Sequence, residues 1–121
     1  MGIRDLFGRR GPRIPADPAD LDHLRRWCRT RVGVEAYLEP ETLVSVPGLC
    51  LVAFDGEWTR RPVGDVATAR RLAAQLKLPL FDAAVQGYPR RMRDYEEVRI
   101  KRERRERAER LREQMREADG R

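Results

Sequence analysis

The sequence predicts an α+β fold: a small antiparallel meander of three or four strands packed against two helices, followed by a long charged C-terminal helix. Three observations carry this expectation. Leu21, Leu24, Trp27 and Cys28 recur at helical spacing, the period switches to two at Val34, and charged residues dominate from about Arg91 to Ala118.

The first helix is expected over 18–31. Asp17 supplies an N-cap and Pro18 is the residue best tolerated at the first helical position. Val34, Ala36 and Leu38 then alternate with Glu35, Tyr37 and Glu39 as a half-buried strand that Pro40 stops. Leu43 to Val46, Leu49 to Phe54 and Glu57 to Val63 are further strand candidates. The run Leu49–Phe54 hardly alternates, as expected of a central strand covered on both faces. Asp55-Gly56, between an apolar run and a Trp-containing run, predicts a tight hairpin with a type I′ turn. Asp65 can cap a second helix carrying the stripe Val66, Ala69, Leu72, Ala73 and Leu76. Leu80 to Val85 reads as one more short strand. Beyond Gly87-Tyr88-Pro89 the last helix shows Glu97/Lys101, Glu103/Arg107 and Glu106/Arg110 at the favourable i,i+4 order. Its apolar groups are sparse, so only its first turns are expected to dock.

The chain has 121 residues with a net charge of +6, and the charge is unevenly placed. Residues 1–14 carry +3, residues 99–121 carry +4 and the segment between them carries −1. The expected organisation is a flexible basic arm over 1–16, an α+β domain over 17–95 and a charged helical extension over 96–121. Arginine makes up 24 of the 26 basic residues, which GC-rich coding alone would also produce, so the argument rests on the position of charge.

Several activities lack their parts. No apolar run approaches the roughly 18 residues of a membrane span, no signal-peptide core is visible at the start, and a cytoplasmic location is expected. Cys28 and Cys50 match no CxxC pattern and read as buried, inert thiols. His23, the single histidine, reads as a surface helix residue with no second ligand at zinc spacing. Ser45, the single serine, lies in a strand candidate, not at a nucleophile elbow. No GxGxxG or Walker pattern is present. Carboxylate pairs such as Glu39/Glu41 and Glu96/Glu97 read as solvated charges. No catalytic residue, metal or cofactor is expected.

Two constellations remain. Asp55-Gly56-Glu57-Trp58-Thr59-Arg60-Arg61 either displays an aromatic flanked by cations, as binding hot spots and base-stacking platforms do, or places Trp58 in the sheet's core face. Gly87-Tyr88-Pro89-Arg90-Arg91-Met92-Arg93-Asp94-Tyr95 either contacts phosphate or forms a docking turn with Tyr88 and Tyr95 on the sheet. Arginines at a helix start oppose the macrodipole, which gives the first option some weight. Both segments resemble patterns in a group of small uncharacterised actinobacterial proteins, some of which carry a generic oxidoreductase label. The resemblance spans roughly residues 34–95 and implies an actinobacterial cytoplasmic protein. The oxidoreductase label is not carried over, because no dinucleotide, haem or redox CxxC motif accompanies it.

The functional expectation is a non-enzymatic adaptor that binds an anionic partner, RNA or a ribonucleoprotein, through its basic ends. The expected binding residues are Trp58, Arg60, Arg61, Tyr88, Arg90, Arg91, Arg93, Arg102 and Arg105. The alternative is a protein-binding or homo-oligomerising assembly module in which the last helix pairs through Val98, Leu111 and Met115.

Overall fold

The structure is a computed structural model that describes residues 15–120. The expected basic arm therefore lies, apart from Pro15 and Ala16, outside the described residues.

Helix α1, Pro18–Arg29, starts where the Asp17 carboxylate accepts the Ala19 N–H at 2.9 Å, satisfying one of the donors a helix start leaves open. Three strands follow: β1 (Glu35–Glu39), β2 (Gly48–Val52) and β3 (Trp58–Pro62). Helix α2, Val66–Gln75, is capped by Asp65 on the Thr68 N–H at 2.7 Å. Strand β4 (Leu80–Asp82) leads directly into the short helix α3 (Ala83–Gln86), and helix α4 runs over Arg90–Asp119.

The α+β class stands, but the sheet is mixed, not wholly antiparallel. Its strand order is β3-β2-β1-β4. β1, β2 and β3 form the meander, whereas β4 pairs parallel to β1, with Ala36 opposite Leu80 and Leu38 opposite Asp82. The reason is the connection. α2 carries the chain from the β3 edge back across the sheet, and the strand after it runs in the direction of β1 along the one edge that β1 has free.

Two local expectations change as well. Leu43–Val46 is no strand: β1 and β2 pair directly, Glu39 opposite Gly48, and the eight residues between them form the connecting loop. A local turn closes that loop through Thr42 N–H to the Ser45 carbonyl (2.9 Å) and a 2.7 Å contact between their hydroxyls, leaving Leu43 and Val44 97% and 94% exposed. The β2–β3 connection is also not a type I′ turn. The Gly56 N–H donates to the Ala53 carbonyl at 3.0 Å, Ala53 N–H closes on the Glu57 carbonyl at 2.8 Å, and only Gly56 takes a left-handed φ, +92°. That is a three-residue loop, Phe54-Asp55-Gly56, in which a type I turn is followed by a left-handed glycine.

The sheet separates two cores. On one face Ala36, Leu49 and Leu51 meet Leu24 and Trp27 of α1 and Ala69, Leu72 and Ala73 of α2. On the other, Tyr37, Cys50 and Val52 meet Trp58, Phe81, Ala83 and Met92, the last from α4. β2 is buried along its whole length, as its unbroken apolar run implies.

Candidate partner-binding surface

Alternation along the strands puts Glu35, Tyr37 and Glu39 of β1 on the face that α4 approaches, with Trp58 and Arg60 of β3. There they form a connected network. The Arg60 Nε donates to both oxygens of Glu39 at 3.0 and 3.1 Å, and the Tyr88 hydroxyl donates to the same carboxylate. The Arg60 guanidinium lies 4.9 Å from the Trp58 ring centre and 5.9 Å from that of Tyr88, within cation–π range. Behind it, Tyr37 packs against Phe81 and Tyr88 at centroid distances of 5.4 and 5.9 Å.

The start of α4 is tied to this face by two side chains. The Trp58 Nε1 donates to Glu96 at 2.8 Å, and Arg91 donates through Nε to the Ala53 carbonyl at 3.0 Å while pairing with Glu35. Arg99 extends the contact by bridging Glu96 and Glu103, each at 2.7 Å. Hydrogen bonds from Arg99 and Trp58 hold the Glu96 carboxyl below its ordinary range.

Titration on this face follows burial. Burial, with a smaller contribution from Glu39, pushes the Cys50 thiol up to about 12, so thiolate is scarce at neutral pH. Burial and the hydrogen bond to Glu39 likewise push the Tyr88 phenol up to about 12. On the opposite face His23 is half-buried, not a surface group as the sequence suggested, and its Nε2 lies 2.7 Å from the buried Thr59 Oγ1. Burial, then the nearby Arg61 guanidinium, lowers its pKa. Among the described residues no group of three or more His, Cys, Asp or Glu could hold a metal ion, and no helix is long and apolar enough to cross a membrane.

The binding residues expected from the sequence fall into three sets. Trp58, Arg60 and Tyr88 come together, with Arg91 beside them, but their polar groups are spent on Glu39, Glu96, Glu35 and Ala53. Arg61 is turned to the opposite face, 3.5 Å from Asp20, because neighbours in a strand alternate. Arg90, Arg93, Arg102 and Arg105 lie exposed on α4 and have no ion pair among the described residues.

The sequence reading missed Glu35, and it treated Glu39 and Glu96 as solvated charges. A signal for two of them existed: period-two alternation puts Glu35 and Glu39 on one face of a strand, and Arg60 belongs to a strand two away in the same sheet. The i,i+4 pairs expected on α4 are not the ones formed. Arg99 takes Glu96 and Glu103, and Arg116 takes Glu113.

α4 has two unlike faces. Met92, Tyr95 and Glu96 are half-buried against the domain, whereas Arg90, Arg93, Glu97, Lys101 and Arg104 recur at three- and four-residue steps on the opposite side, all exposed. From Glu97 to Gly120 every residue of the helix is exposed. Comparison with family models, with curated proteins and with solved structures returns no match for this chain.

Proposed function

We propose that the protein is a non-enzymatic adaptor that holds an anionic partner, RNA or a ribonucleoprotein, along the outer face of α4. The observation that carries this reading is the line Arg90, Arg93, Lys101 and Arg104, interrupted once by Glu97; Arg105 flanks it, whereas Arg102 projects from another side of the helix. At 1.5 Å per residue the four cations spread over about 21 Å on a rigid support. Guanidinium groups suit phosphate oxygens because their planar N–H forks match that geometry. The arginines of the sheet network contribute differently: Arg60 and Arg91 are neutralised by Glu39 and Glu35, and Arg91 helps to hold the start of α4 in place. The +3 of residues 1–14 adds to the same electrostatic pull.

The test is the affinity for a fluorescent RNA duplex across a salt series. The observed constant should fall log-linearly with salt, and Arg90→Gln with Arg93→Gln should lower the slope by about 0.7–0.9 for each phosphate contact removed. Salt-independent binding, or a slope unchanged in that variant, rejects the reading.

A further inference from the structure

Beyond Lys101 the exposed part of α4 is sorted by charge in a way that phosphate contact does not need. Counting heptads from Lys101, the two seam positions hold Lys101, Arg104, Ala108, Leu111, Met115 and Ala118. The positions flanking that seam hold Arg105, Arg107, Arg112 and Gln114, with Asp119 as the one acidic residue, in the last turn. Glu103, Glu106, Glu109, Glu113 and Glu117 all lie on the far side of the helix. The distal seam is therefore an apolar strip bordered by cations, and nothing in the described chain covers it: Leu111 is 53% and Met115 64% exposed.

A second copy of the chain fits this strip poorly. Parallel pairing sets Arg107 against Arg112 of the other copy on both sides. Antiparallel pairing that seats Leu111 on Met115 brings the two Arg112 residues together at its centre and leaves Arg107 without an acidic partner, although Arg105 meets Asp119 at each end. Arginine flanks call for carboxylates opposite them, and an apolar strip calls for an apolar strip. We propose that the distal half of α4 docks an amphipathic helix of a different protein whose apolar seam is bordered by Asp and Glu. Two apolar heptads are short, so the flanking ion pairs decide partner choice and make docking salt-sensitive. The apolar part of this surface, Ala108 to Ala118, lies C-terminal to the Arg90–Arg104 line, although the seam begins on Lys101 and Arg104 of that line.

The full chain is titrated by fluorescence anisotropy into a labelled synthetic peptide of about three heptads with Leu at the seam and Glu on the flanks. A matched peptide with Lys on the flanks is the control. The acidic peptide should bind, bind at least about tenfold more weakly at high salt, and lose binding in a Leu111→Asp, Met115→Asp variant. That variant keeps the domain, because both residues lie outside the two cores; near-ultraviolet circular dichroism of Trp27 and Trp58 reads this. No binding of the acidic peptide, equal binding of both peptides, or an unchanged variant overturns the proposal. Sedimentation showing a dimer that the variant abolishes would make the occupant a second copy and overturn it too. So would an RNA duplex whose binding depends on Leu111 and Met115, since the strip would then be a nucleic-acid surface. Loss of RNA affinity on changing Arg90 and Arg93 leaves this outcome untouched, so the two readings fail separately.

Discussion

A Cβ added to Gly56 would stand 2.0 Å from the carbonyl oxygen of Arg91 and 2.9 Å from the Cβ of Tyr95. The tip of the β2–β3 hairpin thus lies against the backbone of α4 itself, and this close approach, more than any apolar area, sets where the helix leaves the domain. Ala53 joins the two elements chemically, since its carbonyl accepts both the Gly56 N–H and the Arg91 Nε, each at 3.0 Å.

Gly56→Ala should therefore cost twice, through the left-handed φ of +92° and through the clash with Arg91. A loss above about 2 kcal/mol is expected in chemical denaturation. Gly87→Ala shows backbone strain without a clash: nothing lies within 4 Å of the added Cβ, but its φ of +71° with ψ of −177° is a conformation essentially reserved for glycine, at a cost of about 1–3 kcal/mol. Amide hydrogen exchange in the first turns of α4 separates the two, since it should speed up in Gly56→Ala, and unchanged protection there would show that the hairpin does not bear on α4.

Trp58→Phe keeps an aromatic on the sheet and removes the donor to Glu96. A charged acceptor makes this bond stronger than a neutral one, but it is half solvated, so a cost of about 1 kcal/mol is expected. Amide hydrogen exchange in the first turns of α4 should speed up with it. Unchanged protection there would mean that Arg91 alone holds the helix.

Lys77 adopts φ +57° just past α2, where its N–H reaches the Ala74 carbonyl at 3.1 Å and the Leu78 N–H reaches Ala73 at 2.9 Å. This paired arrangement normally employs glycine. Lys77→Gly removes a left-handed penalty of about 1–2 kcal/mol and adds an unfolded-state entropy cost of about 0.5–1 kcal/mol. A net gain of about 0.5 kcal/mol should appear as a raised denaturation midpoint; a lowered midpoint would contradict the assigned turn.

His23 gives a pH dependence with a definite sign. Its folded pKa lies below the ordinary histidine value of about 6.5, so the unfolded chain binds the proton more readily. The stability this supplies is fully present above about pH 6.5 and is lost as pH falls from there through the folded pKa. Thermal melts between pH 7.5 and 5 should show that loss in the wild type and a smaller one in His23→Gln. Identical profiles would show that the burial of His23 beside Arg61 carries no linkage.

Elements with a strong local signature were legible from the chain. Asp17-Pro18 starts α1, Asp65 caps α2, and the Leu49–Val52 part of the Leu49–Phe54 run becomes a strand buried on both faces, while Phe54 turns out into the hairpin loop, because caps and periodicity act within a few residues. Leu43–Val46 misled, since Val and Leu favour strands, yet Pro40 and Pro47-Gly48 close that segment into a turn that never reaches a partner strand. Glu35, Glu39 and Glu96 were missed as network members for the opposite reason: alternation places Glu35 and Glu39 on one strand face but does not name their partners. Each looks like any solvated carboxylate until a residue 21 to 56 positions away is folded beside it.

The sequence by itself determined the α+β class, the starts of α1 and α2, the central strand and a last helix too polar to bury along its length, all of which follow from side-chain period and capping chemistry, whereas Leu80 to Val85, expected as one strand, turns helical at Ala83. Only the tertiary structure decided that β4 joins β1 in parallel, that Arg60 and Arg91 spend their charge inside the domain, and that Gly56 seats α4. Those outcomes depend on which groups meet across long stretches of chain, and desolvation and pairing act only once they have met.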